Sequence, residues 1–348
     1  MREVSPEGYK VDAVEAWVTE NVPALSPPFQ WTRLLGGHSN LTYRIEDTEG
    51  RLAVIRRPPQ GELLPKAHDM SREFSLISAL ADTDVPVPKP YGFCESPDVT
   101  GAWFYIMGCI DGHPLYNADD TLRLVPEDKR VAMAHSFIDA LAALHALDPD
   151  EIGLGDLGKK EGYVGRQLKT WYRSWTSSAE PAQYDDPRAH ELQQFFLDHM
   201  PDQGMARVVH GDYGTHNTLI GPEGTVVAVV DWEISTLGDP LADLAYALNQ
   251  WHQSDDPLPF SPTSALAPPG FPERSELATR YAQLTGRDLS HLDYYVGFNR
   301  WKSAAIRHGV YARYMEGKKS TEGVDLETLR ISIDTGLTAA ERAVSGLR

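Results

Sequence analysis

Between positions 208 and 233 of this 348-residue chain, Val208-Val209-His210-Gly211-Asp212-Tyr213-Gly214-Thr215-His216-Asn217 is followed, after a short apolar stretch, by Val229-Val230-Asp231-Trp232-Glu233. Transfer of a phosphoryl group to a hydroxyl asks a protein for little covalent work. It needs a carboxylate to orient the hydroxyl and further oxygen ligands to hold Mg2+ against the phosphates. Asp212 is the candidate base, and Asn217 and Asp231 are the candidate metal ligands. His210, beside the same loop, is expected to brace backbone rather than move protons.

The spacing supports this reading. Asp212 precedes Asn217 by five residues and Asp231 follows on the next hairpin strand, the order in which protein kinases place their orienting Asp, metal-binding Asn and second metal-binding Asp. Candidate nucleotide-binding residues lie upstream. Gly36, Gly37, His38, Ser39 and Asn40 form a glycine-containing turn whose backbone N–H groups can cover phosphates. Arg56 ends the following strand where a kinase carries a phosphate-holding lysine, and Glu73 falls on the next helix, where the partner of that cation is expected. Arginine keeps the charge and adds a bidentate fork, but its shape differs from that of lysine. Met107, in Phe104-Tyr105-Ile106-Met107-Gly108, leads out of the strand-rich part and can pack an adenine ring.

The elements that must position these residues follow from hydrophobic period and turn chemistry. Val11, Val14, Val18 and Val22 predict an amphipathic helix over 8–22. Residues 41–46 and 51–56 read as a hairpin about Asp47-Thr48-Glu49-Gly50, with a helix over 69–81 and a buried strand over 103–107. Val131, Ala134, Phe137, Ile138, Leu141 and Leu144 predict a long buried helix within 126–147. Two short β-rich runs flank Gly221-Pro222-Glu223-Gly224. Asp239-Pro240 opens a helix to about Trp251, because Asp caps free N–H groups and Pro suits the first helical position. Asp243, one turn into it, is expected to brace the 210–217 loop. The proline-rich segment 254–272 reads as loop. The fold class is α+β: a small β-rich lobe over 1–110 and a larger, mainly helical lobe over 111–348.

Composition narrows the partners. A net charge of −18 disfavours nucleic acid and anionic membrane surfaces, both of which call for a basic face. No stretch approaches the ~18 to 20 apolar residues of a membrane span. With two cysteines, Cys94 and Cys109, and no apolar leader after Met1, the expectation is a cytoplasmic enzyme. Nothing in the letters encodes an oligomeric state.

With these residues in hand, the chain resembles the aminoglycoside phosphotransferase family, which shares the protein-kinase-like fold. His210-Gly211-Asp212 through Asn217 is similar to that family's catalytic loop, and Asp231 stands where the family has its metal-binding aspartate. Leu237-Gly238-Asp239-Pro240-Leu241-Ala242-Asp243-Leu244 follows almost at once, leaving no room for a protein-kinase activation segment. The run from Val230 to Tyr246, with Leu52 to Pro59 and Gly309-Val310-Tyr311-Ala312-Arg313, is most similar to the subgroup that accompanies acyl-CoA dehydrogenases. The resemblance implies a bilobal kinase-like fold, ATP or GTP as donor, Mg2+, and a small-molecule hydroxyl as acceptor. In that subgroup the acceptor is a hydroxyacyl-CoA or hydroxy acid; an aminoglycoside or other antibiotic is the alternative. Two rival readings are a nucleotide-binding pseudokinase, motivated by Arg56 at the lysine position, and a metallohydrolase using His210, Asp212, His216 and Asp231.

Overall fold

The computed structural model describes residues 6–34, 40–60, 69–251, 253 and 263–347. In chain order its elements are α1 (Val11–Asn21), β1 (Gln30–Arg33), β2 (Leu41–Glu46), β3 (Leu52–Arg57), α2 (Met70–Leu80), β4 (Pro90–Cys94), α3 (Pro97–Thr100), β5 (Phe104–Gly108), α4 (Ala118–Leu124), α5 (Arg130–Ala146), α6 (Tyr163–Ala182) and α7 (Pro187–Asp198). There follow β6 (Arg207–Val209), β7 (Thr218–Ile220), β8 (Val226–Val229), β9 (Thr236–Gly238), α8 (Pro240–Leu248), α9 (Arg274–Thr285), α10 (Leu292–Met315) and α11 (Leu326–Ala343). Contacts divide them into two compact units. The first comprises the described residues of Met1–Pro114 with Asn217–Pro222 and Val226–Ile234; the second comprises those of Leu115–His216, Glu223–Thr225 and Ser235–Arg348.

In the first unit, β1-β2-β3-β5-β4 pair antiparallel in that order among the described residues. Strand alternation sorts the side chains onto two faces. Leu41, Tyr43, Ile45, Ala53, Ile55, Phe104 and Ile106 pack on Val14, Val18 and Val22 from α1 and its end. Burying an aliphatic side chain of this size contributes about 1.5–3 kcal/mol. The opposite face carries Val54, Arg56, Tyr105 and Met107, since Arg56 pairs with Tyr105 and Val54 with Met107 in the β3–β5 register. There α2 packs against β4 and β5, with Phe74 stacked on Phe93, ring centroids 5.5 Å apart. The strand alternation therefore aims Arg56 and Met107 at α2 rather than at the α1 core.

Two expectations shift. The first helix begins at Val11, not residue 8, because Gly8 lies at φ 82°, outside helical backbone, and its carbonyl accepts a bond from Arg57 Nη1. The helix expected within 126–147 opens with a 3-10 turn at Glu127–Lys129 and becomes α-helical at Arg130. Ala134, Phe137, Ile138, Leu141 and Leu144 are buried as expected, but Val131 is 44% exposed. At 3.6 residues per turn Val131 falls at the edge of the apolar arc, in the first turn.

The second unit is helical around a core of Leu168, Trp175, Leu192, Phe196, Tyr294, Tyr295, Phe298, Trp301 and Leu337. The aromatic residues of 294–301 are thus core, and Trp232, in the first unit, is likewise fully buried. Strand β6 pairs with β9, so Val208 faces Leu237 across the ladder. Asp239 caps α8 by accepting from Leu241 N at 3.0 Å, and Pro240 takes the first helical position. The helix ends at Leu248 and runs on to Trp251 as tight turns. Among the described residues no helix is long and apolar enough to cross a membrane.

Candidate functional site

Each compact unit holds one set of the residues singled out by spacing. In the first unit, Asp69 starts α2 by accepting from Ser71 N and Arg72 N, both at 3.1 Å, which fixes where the helix begins. One turn later Glu73 points to the sheet with its side chain 1% exposed. Arg56 meets it from β3, Nε lying 3.3 Å from Glu73 Oε2, and reaches Asp231 Oδ1 with Nη2 at 2.6 Å. Burial works against the Arg56 charge, but Glu73, Tyr105 and Asp231 outweigh it and hold the guanidinium above its ordinary pKa. Burial likewise raises Glu73, and Arg56 is the main influence pulling it back down. The Tyr105 hydroxyl is sealed beside Glu73, close enough to feel its charge, yet among the described residues neither it nor Glu73 Oε2 makes a well-formed hydrogen bond.

The β7–β8 hairpin brings Asn217 and Asp231 to neighbouring ends of one ladder. Thr218 pairs with Val229, and Val230 N donates to Asn217 O at 2.9 Å. Val229 N is anchored in turn on Pro86 O at 2.8 Å, and Trp232 Nε1 caps the strand's end on Val229 O at 3.1 Å. Asp231 itself sits at φ 65°, a left-handed conformation that disfavours residues other than glycine. Such backbone persists only where its surroundings enforce it, and here both flanking residues are pinned. Its Oδ1 is taken by Arg56, while among the described residues Oδ2 accepts no hydrogen bond. Two oxygen-bearing side chains, one an amide and one a carboxylate, suit a hard divalent cation.

In the second unit the loop after β6 is clamped from below. Asp243, 3% exposed, accepts from His210 N at 2.6 Å through Oδ2 and from Gly211 N at 2.9 Å through Oδ1, with His145 Nε2 at 3.4 Å. Burial raises the Asp243 pKa, but His145 and these backbone donors outweigh it and hold the carboxyl below the ordinary value. His210 is fully buried, Asp212 N donates to its Nδ1 at 3.3 Å, and its carbonyl accepts from Ser235 Oγ at 3.2 Å. That is a bracing role. Gln250 grips the loop's far side, donating to Tyr213 O at 3.0 Å and accepting from Thr215 N at 3.2 Å. Gly211 lies at φ 84°, which lets the chain turn sharply before Asp212.

Asp212 emerges from this scaffold with its side chain 36% exposed. Tyr246 of α8 donates to Oδ1, and His216 Nε2 lies 3.2 Å from Oδ2. Burial tends to raise its pKa, yet His216 and Tyr246 together outweigh that and hold the carboxyl below its ordinary value. The Tyr246 hydroxyl is pushed well up by burial and then by the Asp212 charge, so it remains a donor. A carboxylate that stays ionised, oriented at both oxygens and partly open to solvent can accept or orient a substrate hydroxyl. Among the described residues no three His, Cys, Asp or Glu gather as a metal site, which is the arrangement the metallohydrolase reading calls for.

Of the residues expected to hold nucleotide, Arg56 and Glu73 are paired, Met107 is 8% exposed on their face of the sheet, and Asn40 is 9% exposed. Gly36, Gly37, His38 and Ser39 lie outside the described residues. Spacing alone missed Tyr246, Gln250 and Tyr105. Tyr246 follows Asp243 by three residues, on the side of α8 that carries it, and Gln250 lies in the turn just past the end of that helix, relations legible only once α8 is known to underlie the loop.

A five-stranded antiparallel sheet followed by a helical unit with an embedded strand pair, with Asp, Asn and Asp on the loop and hairpin, defines a kinase-like α+β fold of the phosphotransferase class. The profile of the phosphotransferase enzyme family matches residues 30–277, and the chain belongs to that family. It is a phosphotransferase. A solved structure of a candidate aminoglycoside phosphotransferase from Ralstonia eutropha is 30% identical with a TM-score of 0.81, covering 96% of this chain and 99% of that one. Acyl-CoA dehydrogenase family member 11 of Rattus norvegicus is 32% identical over 99% of this chain and 45% of its own length. Acyl-CoA dehydrogenase family member 10 of Mus musculus is 34% identical over 84% of this chain and 27% of its own. The chain thus spans less than half the length of these two relatives.

Proposed function

We propose that this phosphotransferase moves the γ-phosphoryl group of ATP to a hydroxyl of a small hydroxy acid or hydroxyacyl-CoA. The observation that carries the reading is Asp212: ionised, held at one oxygen by Tyr246 and at the other by His216, on a loop clamped by Asp243 and Gln250. Asp212 orients the acceptor hydroxyl and takes up its proton as the oxygen attacks phosphorus, while the broken bond's electrons leave on the nucleotide. Asn217 and Asp231 hold Mg2+, which when bound neutralises charge on the phosphate oxygens. The all-oxygen donor pair, and an Asp231 Oδ2 that accepts no hydrogen bond among the described residues, fit such an ion. Arg56, steadied by Glu73, holds nucleotide phosphate from β3. The names of the rat and mouse relatives tie them to acyl-CoA chemistry, which supports a hydroxyacyl acceptor over an antibiotic.

The test is transfer of label from γ-labelled ATP and Mg2+ to hydroxybutyrate, its coenzyme A thioester and kanamycin. Asp212→Asn should lower kcat by about 10²–10⁴ while nucleotide affinity changes little. Wild-type turnover in Asp212→Asn sinks the assignment. Nucleotide binding without transfer to any acceptor favours the pseudokinase, and labelled kanamycin alone favours the antibiotic reading.

A further inference from the structure

Lys302 occupies the middle of α10 and is 8% exposed. Its ammonium lies over the Tyr246 ring, 5.9 Å from the centroid, and the hydroxyl of that ring donates to Asp212 Oδ1. Asp243 and Asp212 are the two carboxylates whose charge reaches it. Both already have other donors: Asp243 takes His210 N, Gly211 N and His145, and Asp212 takes Tyr246 and His216. Among the described residues none accepts a hydrogen bond from Lys302.

An ammonium offers three donors and no acceptor, and a largely buried charge is stable only when something pairs with it. Here the neighbouring carboxylates supply field but no hydrogen bond. The ammonium, with no acceptor among the described residues, thus sits over the ring whose hydroxyl holds Asp212. Burial, which pushes its pKa below the ordinary lysine value, is only partly countered by those two charges.

Resting on the phosphotransferase reading above, we propose that Lys302 binds the acceptor, pairing its ammonium with an anionic oxygen group on the molecule whose hydroxyl Asp212 orients. The anion is the carboxylate of a free hydroxy acid or a phosphate of the thioester's carrier. A polycationic acceptor is disfavoured at this position by like charge.

Isothermal titration of the full chain with hydroxybutyrate, its coenzyme A thioester and butanediol, the uncharged hydroxyl control, tests this. Wild type should bind one anion about ten- to hundredfold more tightly than butanediol, the worth of a charge-assisted hydrogen bond. Tighter hydroxybutyrate assigns the carboxylate, and tighter thioester assigns the carrier phosphate. Lys302→Met should erase the preference and Lys302→Arg should restore part of it, with Lys302→Gln replacing the methionine variant if the latter fails to melt as wild type does. Butanediol binding as tightly as both anions, no measurable binding of either anion, or a preference that survives loss of the charge overturns the assignment. Label transfer read in parallel separates the two ideas: transfer with no anion preference sinks Lys302 alone, and anion preference without transfer sinks the phosphotransferase reading alone.

Discussion

Replacing Arg56 by methionine should expose the energetic weight of the first unit's charge cluster. The substitution keeps most of the volume and removes the guanidinium that lies 3.3 Å from Glu73 and 2.6 Å from Asp231. The two partners respond differently because their surroundings differ. Asp231, with 34% of its side chain exposed, can be hydrated, so losing its partner there costs about 0–1 kcal/mol. Glu73, at 1%, cannot, and stripping one partner from a buried pair costs about 3–5 kcal/mol. A large share of the ~5–15 kcal/mol typical of a folded domain is at stake. Denaturant unfolding of Arg56→Met, Glu73→Leu and the double variant measures it, and the double variant should recover to within about 1 kcal/mol of wild type by removing the stranded carboxylate. The pH dependence has a definite sign. Burial already raises Glu73 and Arg56 is the main counterweight, so without Arg56 the folded-state pKa moves further above the unfolded value. A group so raised contributes stability below its unfolded pKa, about 4.3, that is lost as pH rises through the folded value. Arg56→Met should therefore be closest to wild type in acid and fall behind toward neutrality. A loss under about 1 kcal/mol at neutral pH, or a double variant no more stable than the single, refutes the reasoning.

Removing either donor to Asp212, by Tyr246→Phe or His216→Ala, should raise that carboxyl's pKa, because both bonds favour its charged form; the acid limb of kcat/KM then moves to higher pH by roughly one unit, and an unmoved limb contradicts the assignment. Asp243→Ala leaves the N–H groups of His210 and Gly211 without their acceptor, at about 1–3 kcal/mol each. Thermal melting should show this loss, and Asp243→Asn, which keeps one oxygen, should lose less. Gly238→Ala would set a Cβ 2.6 Å from Tyr163 Cδ2, against a buried ring that cannot swing aside. Overpacking of this kind costs about 1–3 kcal/mol, and an alanine variant that melts as wild type does would show that the ring can shift after all.

Much of this architecture is legible in the letters because local rules and tertiary packing agree. The α1 valines and the β2–β3 hairpin with its Asp47-to-Gly50 turn stand where period and turn chemistry put them. So do the Asp69 cap and the Asp239-Pro240 helix start. The harder cases have identifiable causes. Strand β4 consists of Pro90-Tyr91-Gly92-Phe93-Cys94, whose Pro and Gly mute the strand signal; it survives at the sheet edge with a register shift between Pro90 and Gly92. Strand β9 is three residues long and is made by backbone pairing with β6, which leaves no side-chain period to read. Asp212, Asn217 and Asp231 stand out by spacing, whereas Tyr246 joins Asp212 across 34 residues and Lys302 of α10 lies over the Tyr246 ring, relations that exist only after helices pack.

The two carboxylates of the second unit show why residue type alone leaves roles undecided. Asp212 and Asp243 are the same side chain serving the same loop, and both have depressed pKa values, so ionisation state does not tell them apart. Their donors do. Asp243 is saturated chiefly by backbone N–H groups that cannot move without unfolding the loop, and it is closed to solvent. A group so committed and so closed off is out of reach of a substrate, and its free energy goes into holding His210 and Gly211 in place. Asp212 is held by two side chains, a phenol and an imidazole, which leave it partly exposed and able to exchange a hydrogen bond with an incoming hydroxyl. Environment thus suits one aspartate to support and the other to the chemistry proposed for it. The same criterion separates their variants: losing Asp243 should register first in the melting temperature, and losing Asp212 first in kcat.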